Sequence, residues 1–396
     1  MIINYYIIIN MIKIFKLIFL SFLFFCLFLD INAQEPKKLK IGLLVPISGE
    51  NFEIGNSIIK AIRMAMKDIN SDKIEIIVKD TKTDPSITLK SSYELKNQGV
   101  KIVIGPVFFK SLEYLNEIDD MVFLSLTNKT VNLPKNVISS GVNSTSQLNT
   151  IKKFIQQNDI NNTIFLIPNV GYEEELRKGI KKSKLKILKT YYYDNEPTKL
   201  TNQIEKITNY KIRKQNLEDE IKRLEESNES NKEKLIEMLK MKYTLGEVRF
   251  QSVIIADFKE SLKSVTTSLL YTDVSPRDKY FITLNQWFDK RLINEKDVQP
   301  IYYPSINQIN FKKYREKYEL DYNEEPSHLS LLSYDLLGLV YYLSYKNKFN
   351  LTDLNKIFKK KNSFKGKMGI FDIKNNEINH QLNFYKIDNN EIIKIF

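Results

Sequence analysis

The chain has 396 residues, more than one hydrophobic core usually serves, and 42% of them are hydrophobic, which predicts a packed protein of two domains. The net charge is +12, but the basic residues are spread along the chain, which argues against nucleic-acid binding. The two histidines, His328 and His380, do not stand at metal-ligand spacing, and no GxSxG, Walker or GxGxxG motif is present. The sequence therefore predicts neither an enzyme nor a protein that holds a metal or a cofactor.

The first 33 residues have the form of a secretory signal peptide. Two lysines precede an apolar run from Leu17 to Leu29, and Ala33 offers the small residue that a signal peptidase cuts after. The run is too short to predict a membrane span. Met11 is an alternative start to Met1, because the segment before it is unusual for the charged end of a signal. We expect residues 1–33 to be removed and the mature chain to be periplasmic.

Cys26 is the only cysteine, and it lies inside that apolar run. A mature chain without thiols has no disulfide, no cysteine metal site and no cysteine nucleophile. Phe25 stands where a lipoprotein signal carries a small residue, so the residues favour free release, and a lipid anchor at Cys26 stays the alternative. Export without thiols suits a bacterial periplasm.

From Lys38 onward, apolar runs that suit strands alternate with amphipathic helical patterns. The first group of predicted elements is strand Ile41–Val45, helix Gly55–Asn70, strand Ile74–Val78, helix Pro85–Asn97, strand Ile102–Ile104, helix Ser111–Ile118 and strand Val122–Leu124. The second group is strand Ile164–Ile167, helix Glu173–Lys182, strands Leu185–Tyr192 and Val253–Ala256, helix Ser261–Leu270 and strand Tyr280–Leu284. After Tyr302, helices Asn310–Glu319 and Ser330–Tyr345 are predicted. This alternation predicts an α/β fold with mostly parallel sheets, which bind ligands beyond the carboxyl ends of their strands.

Residues 202–245 break this alternation with a highly charged, helix-favouring segment. Leu217, Ile221 and Leu224 form a narrow apolar stripe, and Leu235 and Leu239 resume it after a turn. Narrow stripes of this kind suit the seam between two paired helices. The segment is predicted to be a helical hairpin inserted in the second domain, either as a self-packed surface elaboration or as an arm that docks a partner.

Several motifs, weak one by one, stand in an order that resembles type I periplasmic binding proteins, the group that includes branched-chain amino-acid binders. They are Pro46, Ser48-Gly49, Gly55, Ala65, Ile69-Asn70, Asp80, Asp84-Pro85, "VIGPV" at Val103–Val107, "FLSLTN" at Phe123–Asn128, and the closing Phe364, Gly366, Gly369 and Phe371. Within that superfamily, "GLLVPISG", "VIGPVFF" and "FLSLTNKTV" are similar to the LppC-type activators of penicillin-binding proteins. The resemblance spans nearly all of the mature chain.

The resemblance implies two Rossmann-like lobes with parallel-type sheets, joined by a three-crossing hinge. The first lobe would comprise residues 38–140 and 302–381, and the second residues 141–301 and 382–396, with 202–245 inserted in it. The crossings would lie near Val137–Val142, Pro300–Pro304 and Gln381–Phe384. Lobes joined in this way can close around a ligand.

The same resemblance implies a set of ligand-binding residues. Ser48, Gly49, Ser125 and Thr127 would line the first wall of the cleft, and Asn169, Tyr172, Asp257 and Trp287 would line the second. Phe109 falls about where amino-acid binders carry a hydroxyl residue for the ligand carboxylate, so we expect its ring to fill cleft space. Asn285-Gln286 replaces the family's acidic residue for the ammonium, with Asp257 as a substitute.

These departures favour a regulator over a transport receptor. The first hypothesis is a non-enzymatic activator of a penicillin-binding protein, a membrane-anchored peptidoglycan synthase. The alternative is the substrate-binding protein of an ABC transporter, which would bind an amino acid or another small polar solute and meet an ABC permease. No catalytic residue, metal or cofactor is predicted.

Overall fold

The computed structural model describes residues 11, 14–19, 38–284, 293–349 and 354–396. Residues 14–19 are helical and belong to a unit separate from the compact unit of residues 40–396. Within the described ranges, no helix combines the length and the apolar character that crossing a membrane requires. Most of the predicted signal segment, Cys26 included, lies outside those ranges. Removal of the segment and lipidation of Cys26 therefore stay predictions.

The strands and helices of the large unit alternate along most of the chain. The strands are β1 (Leu39–Val45), β2 (Ile74–Asp80), β3 (Ile102–Ile104), β4 (Val122–Ser125), β5 (Val137–Ser139), β6 (Thr163–Pro168), β7 (Lys189–Tyr193), β8 (Ser252–Ile255), β9 (Tyr280–Thr283), β10 (Ile301–Ser305), β11 (Asn362–Lys365), β12 (Ile370–Lys374), β13 (Glu377–Gln381), β14 (Asn383–Asp388) and β15 (Glu391–Lys394). The helices are α1 (Phe52–Ile69), α2 (Pro85–Asn97), α3 (Ser144–Gln157), α4 (Glu173–Ser183), α5 (Pro197–Ile207), α6 (Tyr210–Glu226), α7 (Lys232–Lys240), α8 (Lys259–Tyr271), α9 (Gln308–Tyr322), α10 (Ser330–Lys346) and α11 (Leu354–Lys359).

Three sheets organise these elements. The first has the order β2-β1-β3-β4-β5, and β1, β3, β4 and β5 pair parallel in succession. The second has the order β15-β14-β10-β9-β8-β6-β7, parallel from β10 to β7 and antiparallel at β14 and β15. The third is the antiparallel β11-β12-β13. We call the first sheet with its helices the first lobe, and the second sheet with its helices the second lobe. The predicted α/β fold class is confirmed.

Both faces of the second sheet are buried at its central strands, as their apolar residues require. Neighbouring residues of a strand point to opposite faces, so a strand buried on both sides supplies two cores. Ile164, Leu166, Val253, Ile255 and Phe281 belong to one apolar cluster. Phe165, Ile167, Ile254, Ala256 and Ile282 belong to another. This double burial explains the continuous apolar runs in β6, β8 and β9.

The chain passes between the lobes at three places. Ile301–Ser305 pairs with β14 along its whole length and with β9 at Ile301 and Tyr302, so the second passage comes at residues 306–307, a few residues beyond the predicted lobe boundary. The other passages lie at residues 140–143, after β5, and at residue 382, between β13 and β14. The division of the chain into two moving lobes at these places stays a prediction.

Two predicted elements differ from the structure. The helix expected at Ser111–Ile118 is a pair of 3₁₀ turns, Phe109–Leu112 and Leu115–Glu117. Leu112, Leu115 and Ile118 are buried at a period of three, which suits 3₁₀ geometry, and Asn136 Nδ2 donates to the carbonyls of Leu115 and Ile118 at 2.8 and 2.6 Å. That remote amide satisfies carbonyls that an α-helix would have bonded internally.

The strand expected from Leu185 begins only at Lys189. Leu185 is buried in the core of the second lobe, and the amide of Leu188 donates to the carbonyl of Thr163 at 2.8 Å. The apolar residues before β7 therefore serve packing as the chain approaches the sheet. Tertiary packing, which the apolar pattern does not reveal, sets the first residue of this strand.

The insertion folds as helices joined by tight turns. Leu217 and Leu224 on α6 are buried, and Leu235 and Leu239 on α7 are half-buried. Arg213, only 7% exposed, attaches the base of α6 to the rest of the lobe. Its guanidinium donates from Nε to Gly246 O at 3.0 Å and from Nη1 to Thr272 O at 3.0 Å. The apolar stripe of the sequence therefore lies between α6 and α7, and a buried cation holds their base.

Candidate functional site

The loops that carry the predicted cleft residues follow the carboxyl ends of parallel strands in both lobes. Ser48 follows β1, and Thr127 follows β4 in the first lobe. Tyr172 follows β6, and Asp257 follows β8 in the second. Carboxyl ends of neighbouring parallel strands meet at one edge of a sheet, which brings residues remote in sequence together.

The loop after β1 is held by a carboxylate that the sequence analysis did not select as a site residue. Ser48 Oγ donates to Asp80 Oδ2 at 2.6 Å, and the amides of Ile47 and Lys82 donate to Oδ1 at 2.8 and 2.9 Å. Burial raises the pKa of Asp80, but donation from Ser48 and the amides outweighs burial, and the pKa is lowered. Gly49, with φ +85°, turns the chain above it in open space. The proton of Ser48 is therefore engaged by an anion within the chain.

Gly55 explains why α1 begins so close to that loop. A Cβ at this position would lie 1.7 Å from the carbonyl oxygen of Pro46. Only glycine permits helix and strand end to approach this closely. The resemblance motif at Gly55 thus has a packing role that positions the loop.

Ser125 and Thr127 hold the loops after β3 and β4 together. Ser125 is fully buried, and its Oγ donates to Pro106 O at 2.8 Å and accepts from the Thr127 amide at 3.3 Å. Thr127 Oγ1 accepts from the Lys129 amide at 3.2 Å. Ligand contact by these residues stays a prediction, and the structure gives both hydroxyls partners within the chain.

Phe109 packs on the core of the first lobe. Its half-buried ring contacts the apolar cluster that includes Leu112 and Phe123, and Lys129 Nζ lies 4.6 Å from the ring centroid. A phenyl ring between a core and a cation has no donor for a carboxylate. Phe109 therefore covers part of the core of the first lobe, and the expectation that its ring fills cleft space stays a prediction.

In the second lobe, a buried carboxylate lies between two tyrosines. Tyr193 OH donates to Asp257 Oδ2 at 2.7 Å, and the Phe258 amide donates to Oδ1 at 2.9 Å. Tyr172 OH donates to Ala256 O at 2.5 Å. Burial raises the pKa of Asp257, and the hydrogen bonds offset only part of that effect. Tyr193, at the end of β7, is a site residue that sequence reasoning missed, because nothing in its own segment indicates a partner 64 residues away.

Asn169 lies at the exposed rim of this group, and Trp287 lies outside the described residues. The Asn169 amide donates to Tyr193 O at 2.9 Å, which ties the loop after β6 to β7. The structure brings Tyr172, Asp257 and the backbone of Asn169 together around Tyr193. A role for Trp287 stays a prediction.

Glu175 connects the two lobes, and sequence reasoning missed it as well. Its Oε1 accepts from the amides of Thr130 and Val131 at 2.5 and 2.6 Å, and its Oε2 accepts from Thr130 Oγ1 at 2.8 Å. Lys178 Nζ donates to Thr130 O. The loop after β4, in the first lobe, is therefore bound to the first turn of α4, in the second. Three acidic residues in that turn, Glu173 to Glu175, were the only sequence signal.

Another contact, which joins the third sheet to the segment from Ser140 to Ser146, is centred on His380. Its Nε2 lies 2.8 Å from the carbonyl oxygen of Ser140, which can only accept, so Nε2 carries the proton. The His380 amide donates to Ser146 Oγ at 2.9 Å, and Asn143 Nδ2 donates to Ile378 O at 3.0 Å. Burial lowers the pKa of His380 to about 4 despite these bonds, so the ring is neutral at neutral pH.

Several cavities of the large unit lie away from the loops that carry the predicted cleft residues. Four of them, between about 470 and 660 Å³, lie against α1, α9 and α10 of the first lobe, beside β7, at the base of the insertion and near Pro300. In the part of the chain that the structure describes, none of these four takes a predicted cleft residue into its lining. Nor do the described ranges contain a group of three or more histidine, cysteine or acidic side chains placed to hold a metal ion.

Known proteins share this architecture. Residues 38–212, under half of the chain, match the family model described as periplasmic binding protein. The C-domain of LpoA (YraM) from Haemophilus influenzae, a regulator of PBP1A, is similar with a TM-score of 0.62 and 15% identity, over 90% of this chain and 100% of that domain. The leucine binding protein LivK from Thermotoga maritima is similar with a TM-score of 0.54 and 14% identity, over 90% of this chain and 98% of that one. The chain therefore has the type I periplasmic-binding-protein fold, and the predicted resemblance is confirmed.

This chain covers only part of the length of its sequence relative and of full-length LpoA. An uncharacterized protein from Rickettsia prowazekii is 31% identical over 86 residues, which is 22% of this chain and 26% of that protein. The chain spans 60% of full-length LpoA from Haemophilus influenzae, at 15% identity. At such identities the structural likeness establishes the fold, and the partners of this chain are a matter for proposal.

Proposed function

We propose that this chain is a non-enzymatic periplasmic regulator that binds a membrane-anchored peptidoglycan synthase, a penicillin-binding protein. The observation that carries the proposal is that hydroxyl groups of the predicted cleft residues already have acceptors within the chain. Ser48, Ser125 and Tyr172 donate their hydroxyl protons to acceptors of the chain itself. Binding would shift the conformational population of the synthase, and no bond would be made or broken.

A solute receptor needs the opposite arrangement. It binds an amino-acid carboxylate with donors that are free until the ligand arrives, because a buried charge without partners is costly. Here, withdrawing the Ser48 hydroxyl from Asp80 would leave that carboxylate one donor short. Glu175 also ties the lobes together at the rim. Both features favour a fixed scaffold over a receptor that opens and closes.

The docking surface that we propose consists of three exposed apolar side chains. Met238 lies on α7, and Met241 and Tyr243 follow the helix. These side chains are 53%, 74% and 77% exposed. Every residue of α7 keeps part of its surface in contact with solvent, and the helix packs chiefly against α6. Flexible methionines and an aromatic ring are typical of surfaces that bind proteins. The likeness to the C-domain of a PBP1A regulator supports a synthase as the partner.

Binding of the mature chain to a detergent-solubilised synthase of the same organism tests this proposal. The double variant Met238→Glu/Tyr243→Glu should weaken binding by at least about tenfold, because two exposed apolar contacts are replaced by charges. Leu320→Glu/Tyr345→Glu is the matched control, since Leu320 and Tyr345 are 88% and 67% exposed on α9 and α10 of the first lobe. Failure of the wild-type chain to bind any synthase would refute the function, whereas equal binding by both double variants would refute only the surface.

The second candidate is a solute receptor that delivers its ligand to an ABC permease. The buried Asp257 carboxylate at a strand end, together with the similarity to LivK, favours this alternative. A thermal-shift screen with amino acids and other small polar solutes separates the two functions. A true ligand at a hundred times its dissociation constant would raise the free energy of unfolding by about 2.7 kcal/mol. Stabilisation of that size by leucine, lost in Asp257→Asn, would favour the receptor.

The periplasmic location is part of the proposal. The family match and the LpoA similarity support export, and the apolar run before Asp30 supplies the signal. N-terminal sequencing and mass measurement of the exported chain test it. A mature end at Gln34 without added mass supports free release, and a diacylglyceryl mass on Cys26 supports the lipid anchor.

A further inference from the structure

A basic cavity of about 660 Å³ opens on the first lobe, away from the loops at the cleft edge. Helices α1, α9 and α10 and the turn that follows β11 form its wall. Four of the lining side chains are lysines: Lys313, Lys317, Lys365 and Lys367. Tyr314 and Phe364 supply an apolar floor. A volume of this size is typical of small-molecule sites, which range from about 300 to 1,000 Å³.

Carboxylates offset only part of this positive charge. Asp68 Oδ1 accepts from Lys317 Nζ at 2.7 Å, and Asp68 Oδ2 accepts from Tyr334 OH at 2.5 Å and lies 3.9 Å from Lys367 Nζ. The other lining carboxylate, Asp335, is 2% exposed and turned toward the backbone. Lys313 and Lys365 are exposed at the mouth. The solvent-facing wall is therefore cationic.

The turn that carries Lys367 is rigidly held. The amides of Lys367 and Met368 donate to Asp335 Oδ1 and Oδ2 at 2.8 and 2.7 Å. Asn310 Nδ2 donates to Lys367 O at 3.1 Å. A Cβ at Gly366 would lie 2.4 Å from Asp335 Oδ2, so only glycine allows this approach. The closing glycine motif of the sequence thus presets the position of one cation of the cavity.

We propose that this cavity binds a phosphate-bearing anion of small-molecule size, with a pyrophosphate-like charge. Lysine binds phosphate as a point charge, and several lysines around one concave site favour an anion with more than one negative charge. Lys313, Lys365 and Lys367 contact the anion, while Asp68 keeps Lys317 paired. The phosphate belongs either to a soluble anion or to a lipid headgroup at a membrane surface. This inference does not depend on the docking surface around α7.

Calorimetric titration of the mature chain with sodium pyrophosphate, and flotation with vesicles of phosphatidic acid and phosphatidylcholine, test the proposal. Lys313→Gln/Lys365→Gln should weaken binding by about tenfold or more, because two charged contacts are removed. Lys312→Gln/Lys361→Gln is the matched control: it makes the same change of net charge at exposed neighbouring positions outside the cavity. Binding should also weaken as salt is raised.

The outcomes separate the two sources of phosphate. Pyrophosphate binding that the cavity variant loses and the control variant keeps indicates a soluble anion. Vesicle binding with the same pattern, without pyrophosphate binding, indicates a lipid headgroup. The proposal is overturned if neither probe binds, if the cavity variant binds as well as the wild type, or if both variants lose binding equally, which would reflect net charge alone.

Discussion

Arg213 is predicted to hold the base of the helical insertion, and replacing it with methionine tests that role. Its guanidinium donates to Gly246 O and Thr272 O at 3.0 Å each, to Thr244 Oγ1 at 2.7 Å and to Asp273 O at 3.1 Å. Methionine has a similar length and keeps the packing of the stem. It removes every one of those donors.

The size of the effect follows from the groups left behind. A buried acceptor that loses its donor costs about 1–3 kcal/mol, and Thr272 O and Thr244 Oγ1 are the two most affected, whereas Gly246 is exposed. The ion pair with Asp273, at 3.6 Å, adds little because that carboxylate is 38% exposed. Burial lowers the pKa of Arg213, and the charge of Asp273 opposes this shift only in part. The methionine variant has no buried cation, so it avoids the cost of desolvating the guanidinium, which offsets part of the loss. We expect a net loss of about 2–4 kcal/mol in the free energy of opening α6 and α7.

Amide hydrogen exchange of the mature chain, read along α6 and α7, measures that free energy. The matched control is Arg223→Met in the same helix, where the guanidinium is 55% exposed and pairs with Glu220 and Glu229 at 2.9 and 3.0 Å. Its exchange should match the wild type, because exposed pairs contribute little. Equal exchange in the two variants would refute the role of Arg213 as the anchor.

Three further predictions concern His380, Glu175 and Gly366. The wild type should lose up to about 3 kcal/mol of stability between pH 6.5 and 4 through His380, because burial lowers its pKa to about 4 and the unfolded chain binds the proton first. Urea unfolding of His380→Gln and of the wild type, compared at each pH, isolates the effect of His380. Burial raises the pKa of Asp335 to about 6, so Asp335 stabilises the fold as the pH falls, but it is present in both chains. Parallel plots of unfolding free energy against pH for the two chains would contradict the prediction. Glu175→Ala should speed hydrogen exchange of the Thr130 and Val131 amides, which donate to Glu175, by about tenfold or more, and Glu174→Ala should not. Unchanged exchange in both variants would argue against a tie between the lobes. Gly366→Ala should cost about 2 kcal/mol or more in thermal unfolding because its Cβ would displace the Asp335 carboxylate, and a wild-type midpoint would show that the turn adapts.

Elements with a strong local pattern were predictable from the sequence. The strands β3, β4 and β8 are buried along their whole length and read as continuous apolar runs. Helix α2 begins at Pro85 behind Asp84, whose side chain accepts from the Ile87 amide at 2.8 Å, a start signal visible in the sequence. Local periodicity and capping decide such elements, so a single chain is enough to infer them.

The polar partners at the cleft edge were not predictable in the same way. Ser48 and Asp257 were selected by resemblance, but their partners, Asp80 and Tyr193, lie 32 and 64 residues away. Whether the predicted cleft residues contact a ligand stays a prediction. Glu175 carried no signal beyond its place in an acidic first turn.

By itself, the amino-acid sequence determined the α/β class, the positions of most strands and helices, and the loops that follow the carboxyl ends of the strands. Only the tertiary structure decided which hydroxyls and carboxylates are already paired, which loop ties the lobes together, and where four lysines gather around one cavity. The reason is physical: burial patterns repeat over a few residues of one chain segment, whereas a hydrogen bond depends on distances of a few tenths of an ångström between groups that the fold brings together from remote segments.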